Sequence, residues 1–150
     1  MAIDSSSPSE PLITGIAHVN LSIPPGSLEH AKAFYGETLG LTARAVPVAQ
    51  IDSLAWFDVG SSGQQVHISY QKHDQDTTLP NSSRHPCFKL GSPDALNALQ
   101  RRILKHLEQG GKDAPMACDA MGETSGEKTA EYPTRFFARD YSGNRLEFSL

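Results

Sequence analysis

Apolar and polar residues alternate along the first part of the chain. Over residues 15–23, Ala17, Val19, Leu21 and Ile23 are apolar while His18, Asn20 and Ser22 are polar. A period of two predicts a strand with one buried and one polar face. Pro24-Pro25-Gly26 ends it, and Ser27 offers a cap for a helix. Leu28, Ala31, Phe34, Tyr35 and Leu39 then recur at helical spacing, up to a glycine at position 40 that suits the residue just past a helix end. Strands are expected over 42–48, 54–59 and 64–70, with a turn at 61–63 between the last two.

After a charged stretch at 72–83, read as a linker, the same programme runs again. Pro86, Phe88 and Leu90 alternate with His85, Cys87 and Lys89. Gly91-Ser92-Pro93-Asp94 supplies a cap and a proline for the first helical position. Leu96, Leu99, Ile103 and Leu107 form a helical stripe up to Gly110-Gly111, and strands are expected over 114–118, 134–140 and 144–150, with a polar loop at 120–131. Each half therefore reads strand, helix, three strands. The repeat is visible residue by residue: the segment 62–69 aligns without gaps on 142–149, so that His67 falls on Glu147, and His18 falls on His85 in the first strands. Two βαβββ units, neither able to bury its sheet alone, are expected to share one α+β structure. Module one spans about 13–72 and module two about 83–150, behind a flexible tail at 1–12.

Composition narrows the function classes. With 38% apolar and 20% charged residues, the chain is globular rather than disordered. A net charge of −4 with scattered basic residues argues against a nucleic-acid partner. No apolar run approaches the ~20 residues that cross a membrane. The first eleven residues lack the basic and apolar regions of a signal peptide. Two cysteines without a CxxC pair fit neither a disulfide scaffold nor a zinc ribbon, so a reduced, cytoplasmic protein is expected.

The six histidines then separate. His18, His67 and His85, together with Glu147, hold repeat-equivalent places on the polar faces of strands, and three imidazoles with one carboxylate suit a divalent metal. His30, His73 and His106 read as surface residues. Strand parity puts Asn20, Gln65, Ser69, Lys89 and Arg145 on the same side, with Lys89 and Arg145 suited to an anionic substrate group. Trp56 and Phe136 are expected as pocket walls.

The chain resembles the vicinal oxygen chelate superfamily, which groups glyoxalase I, bleomycin-resistance proteins and extradiol dioxygenases. The residues that carry the resemblance are His18 in Gly-Ile-Ala-His-Val-Asn-Leu, Ala33-Phe34-Tyr35 through Leu39-Gly40-Leu41, His67 in Gln-Val-His-Ile-Ser, His85 in Arg-His-Pro-Cys-Phe, and the terminal Asp140-Tyr141-Ser142-Gly143-Asn144-Arg145-Leu146-Glu147-Phe148. It covers residues 14–150 and implies a glyoxalase-like domain over 13–150, with paired modules in a cup-shaped mixed sheet around one divalent ion. The ligands it implies are His18, His67, His85 and Glu147, and the ion is Zn, Ni, Fe, Mn or Co. The implied activity is Lewis-acid catalysis on a small substrate with adjacent oxygens, of isomerase or lyase type, with Glu147 as the first candidate for the base and His67 as the second. Glyoxalase I enzymes carry glutamate where this chain has His67, which argues against methylglyoxal chemistry. Two other readings stand beside it: a non-haem Fe(II) dioxygenase using His18, His85 and Glu147, and a drug-binding protein without turnover. Glutathione is an analogy that no residue supports. The modules can pair within one chain or between two, the latter giving a homodimer with shared sites.

Overall fold

The computed structural model describes residues 11–72, 82–127, 130 and 134–150. The alternating segments do form strands, shorter than the pattern suggests. In chain order they are β1 (His18–Ile23), β2 (Thr42–Arg44), β3 (Leu54–Asp58), β4 (Gln65–Tyr70), β5 (Cys87–Lys89), β6 (Ala117–Cys118), β7 (Arg135–Arg139) and β8 (Arg145–Ser149). They make two four-stranded mixed sheets, ordered β1-β4-β3-β2 and β5-β8-β7-β6. In each sheet the first strand of the module runs parallel to the last, and the remaining pairs are antiparallel. The two βαβββ units of the repeat are thus both present. Among the described residues the sheets share no hydrogen-bonded strand pair, so β1 and β5 each stand at an edge. Ala17, on the expected apolar face, precedes β1 and is exposed, while Ile23 at the far end of the strand is fully buried. The expected linker lies largely outside the described residues, and His73 with it.

Helix two, α2 (Pro93–Gln109), follows the sequence closely. The hydroxyl of Ser92 accepts from the Ala95 amide at 3.1 Å, proline occupies the first turn, and Leu96, Leu99 and Ile103 are buried. Helix one differs from the expectation. A single α-turn, α1 (Leu28–Ala31), widens into a π-helical segment, Lys32–Thr38. The Leu39 amide donates to the Phe34 carbonyl at 2.9 Å, five residues back. The wider turn accommodates two neighbouring aromatics, Phe34 and Tyr35, that are both fully buried. Ser27 does not cap this helix through its side chain; its hydroxyl donates to the Pro24 carbonyl instead. Gly40 adopts φ +76° and ends the segment, as a residue with Cβ would not readily do.

The modules are joined through buried polar contacts as well as through their shared apolar core. Asp140, with no solvent exposure, accepts from the Tyr35 hydroxyl (2.6 Å), the Asn144 side-chain amide (2.9 Å), and the backbone amides of Ser142 and Asn144 (both 2.9 Å). The same Asn144 side chain donates to the Ser22 carbonyl at the end of β1, and the Tyr141 hydroxyl donates to the Ser27 carbonyl. His106 is not the surface residue its position suggested. Its side chain is 14% exposed, 2.7 Å from Thr38 Oγ1 and within 3.3 Å of Asp113, and its ring packs on Phe34. His30 is half-buried against Tyr141.

Burial pushes the Asp140 carboxyl above its ordinary value despite the four hydrogen bonds. A carboxyl raised on folding contributes stability that is fully present below its unfolded value and is lost as pH rises through the folded one. At neutral pH, removing its charge should therefore matter less than removing its hydrogen bonds. Tyr35→Phe is expected to cost about 1–2 kcal/mol, a fall in Tm of roughly 2–8 °C. Asp140→Ala, which orphans several buried donors, should cost more, and Asp140→Asn should lie between Asp140→Ala and the native protein. Equal melting temperatures for all four proteins would show that this hub does not hold the modules.

Candidate functional site

The four repeat-equivalent residues sort into two pairs, one on each sheet. In the first sheet, β4 places His67 beside its register partners Trp56 on β3 and Asn20 on β1. The rings of His18 and His67 stack with centroids 4.0 Å apart, and Trp56 stacks on the other side of His67 at 4.7 Å. A chain of hydrogen bonds fixes the imidazole. Arg44 pairs with Asp58, and the Gln65 amide nitrogen donates to Asp58 at 2.9 Å. Gln65 Oε1 therefore faces His67 Nε2, also at 2.9 Å. An amide oxygen can only accept, so Nε2 carries the hydrogen and, in the neutral ring, Nδ1 carries the lone pair. Burial, together with the neighbouring His18, holds the His67 value below that of an ordinary histidine. His67 is thus a neutral ring at neutral pH with one defined basic nitrogen.

The second pair is unlike the first. His85 Nε2 lies 2.7 Å from Glu147 Oε2, while its Nδ1 donates to the Ser83 carbonyl at 2.6 Å. Arg135 Nη1 donates to the other carboxylate oxygen at 3.0 Å. Burial alone would raise the Glu147 carboxyl, but Arg135 and His85 outweigh it and hold the group below its usual range. His85 Nε2 and Glu147 Oε2 thus face each other directly, side by side on the second sheet. Close packing secures Arg135: a Cβ at Gly126 would lie 2.5 Å from the Phe137 ring and 2.9 Å from Arg135 Nη2, so only glycine fits there. Among the described residues no group of three or more His, Cys, Asp or Glu side chains is arranged to hold a metal ion. One chain therefore brings His18 to His67 and His85 to Glu147, without uniting the pairs.

No family model matches the sequence, and no curated protein matches it. Solved structures do. A protein from Bacillus anthracis assigned to the glyoxalase family is 28% identical with a TM-score of 0.63, over 91% of this chain and 93% of that one. A glyoxalase/dioxygenase from Nostoc punctiforme is 16% identical with a TM-score of 0.66, over 98% and 97%. A variant of the fosfomycin resistance protein FosX from Listeria monocytogenes, solved with Mn(II) and 1S,2S-dihydroxypropylphosphonic acid, is 12% identical with a TM-score of 0.64, over 92% and 90%. The fold is that of the vicinal oxygen chelate superfamily.

Within that superfamily fold, a cavity of about 1350 Å³ separates the edge strands β1 and β5, and His18, Asn20, Gln65, His85, Lys89 and Arg145 are among the residues that line it. Asn20 donates to Ser69, and Trp56 covers His67 rather than an open wall. Phe136 is a correction. It pairs with Phe148 across β7 and β8, stacks on it at 4.8 Å and is 1% exposed, so it belongs to the core. The aromatic on the Glu147 face is its neighbour Phe137, the register partner of Glu147. Arg135, Phe137 and Arg139 were missed. Counting parity back from Glu147 through the β7–β8 register would have found all three. Asp58 was missed because its part is to orient Gln65. Both cysteines are free, and Cys87 lies opposite Glu147.

Trp56 is the single tryptophan, which makes the state of His67 readable. Its fluorescence is expected to fall on acidification, as the stacked imidazole gains a proton, with a midpoint below 6.5. Burial and the neighbouring His18, which disfavour the charged ring, contribute stability above the unfolded histidine value that is lost as pH falls through that range. His67→Phe should abolish the transition; its survival would assign the change to another group.

Proposed function

We propose that the chain is a divalent-metal-dependent enzyme of glyoxalase type, acting on a small substrate with two adjacent oxygens by an isomerase or lyase reaction. The observation that supports this reading is the pair of donor sets held by partners behind them: His67 by Gln65 and Asp58, and His85 with Glu147 by the Ser83 carbonyl and Arg135. Outer contacts of this kind orient metal ligands in general. Three imidazoles and one ionised carboxylate fit a borderline divalent ion. When bound, that ion supplies Lewis-acid polarisation of the substrate oxygens. The Mn(II)-bearing FosX variant gives a precedent within the same fold.

The residue roles follow from their surroundings. Glu147, held below its usual value, is a weak base and a firm ligand. Nδ1 of His67 is the atom that takes a proton from carbon beside a carbonyl when it is not itself a ligand. His18 and His85 complete the donor set. Because the pairs stay apart within one chain, we assign the complete site to a homodimer, in which module one of one copy meets module two of the other. The unpaired edges of β1 and β5 are suited to that contact. The protein acts on a small molecule in the cytoplasm.

Metal stoichiometry tests the reading without knowledge of the substrate. The native protein should bind one divalent ion per chain, and His18→Ala and His85→Ala should each bind none. Unfolded together and refolded, the two variants should recover about a quarter of the native stoichiometry, since half of the dimers are mixed and each of those has one intact site. A mixture that stays empty would place the site within one chain, and a native protein that binds no metal would remove the reading. Oxygen uptake by the Fe(II)-loaded protein would move the reaction to the oxygenase class.

A further inference from the structure

The face of the second sheet that carries Glu147 is short of negative charge. Register places Arg135, Phe137 and Arg139 of β7 with Arg145 and Glu147 of β8 and Cys87 and Lys89 of β5. Glu147 is the single carboxylate among them, and it is already shared by Arg135 and His85. Arg139 and Arg145 stand directly opposite each other across the antiparallel pair. Like charges so placed destabilise a sheet. Arg139 spends its donors on two carbonyls, Gly143 at 2.9 Å and Ser82 at 3.0 Å, and burial with the facing Arg145 holds its value below the ordinary one. These bonds hold the segment leading to His85 against the sheet. Arg145 makes no ion pair among the described residues; its guanidinium lies 4.1 Å from the Phe137 ring centroid. Among the described residues, the cavity beside it is lined by Arg84, Lys89 and Arg145 and by no aspartate or glutamate, in a chain whose net charge is −4.

We propose that Arg145, with Arg84 lining the same cavity, forms a subsite for a doubly charged oxyanion on the substrate, of the phosphoryl or phosphonyl class. This rests on reading the cavity as the substrate side of the site above. A planar guanidinium offers two parallel donors to such a group. Stacking on Phe137 holds the fork in place before the ligand arrives, which lowers the entropy lost on binding. A dianion relieves the Arg139–Arg145 repulsion and the cavity's charge surplus together, whereas a monoanion would leave most of both.

Inorganic phosphate titrated into metal-free protein at low ionic strength and pH 8 tests this, with acetate as the singly charged comparison and the Arg145 Nε–Hε NMR signal as readout. Phosphate should shift that signal saturably, and acetate should bind at least about fivefold more weakly. Arg145→Met should weaken phosphate binding by about tenfold or more, Arg84→Met by less, and Arg145→Lys should recover part of the loss. Lys112→Met should change nothing. Native phosphate affinity in both Arg145→Met and Arg84→Met would overturn the subsite, and acetate binding as tightly as phosphate would overturn the assignment to a dianion. Cobalt(II) uptake, measured separately, keeps this inference apart from the metal reading. Phosphate binding retained by a protein that takes no metal would remove the metal reading and leave the subsite in place.

Discussion

The carboxylate of Asp140 is sealed from solvent between the modules, and the positions of both donor pairs depend on how it is satisfied. An ionisable group in that place is tolerated only when its oxygens are fully used. Tyr35 reaches it from the π-helical segment of module one, while Ser142 and Asn144 reach it from the turn between β7 and β8. The turn sets the register of β8, and hence the facing of Glu147. Asn144 also grips the Ser22 carbonyl, which fixes the end of β1, the strand that begins at His18. A charge buried at the seam therefore serves as a datum for two strands that belong to different sheets.

The helix irregularity follows from the same demand. Phe34 and Tyr35, consecutive in the π-helical segment, are both fully buried, one against His106 and the other against Asp140 and Phe57. Widening the turn satisfies both. Thr38, at the end of the segment, then meets His106 on α2. A histidine that looked incidental thus becomes part of the packing between the modules.

Much of this was legible in the residue pattern. Alternation and turn residues located each strand to within a few positions, and the internal alignment of 62–69 on 142–149 disclosed the repeat and the equivalence of His67 with Glu147. What escaped was whatever depends on neighbours distant in sequence. Phe136 and Phe137 are both large aromatics with equal claim to a pocket, and only the pairing of β7 with β8 separates them. The π widening has no periodic signature, and the partner that Tyr35 meets there, Asp140, lies 105 residues away. The role of Asp58 in orienting Gln65 is likewise invisible until β3 and β4 are paired. The resemblance suggested one cup with four converging ligands; which copies of the modules form it is a matter of association between surfaces, and a linear pattern carries little of that.

The equivalence of His67 and Glu147 has a consequence for how such a chain can change over time. A ring that is single-copy and symmetric must alter both halves of its centre with every substitution. Here the same strand position holds an uncharged imidazole, oriented by Gln65, in one half, and a carboxylate anchored by arginine in the other. Duplication has released the two halves from each other. The surroundings of the imidazole can change through Asp58 or Trp56 while the carboxylate of the other half stays anchored by Arg135, so the two halves can change one at a time.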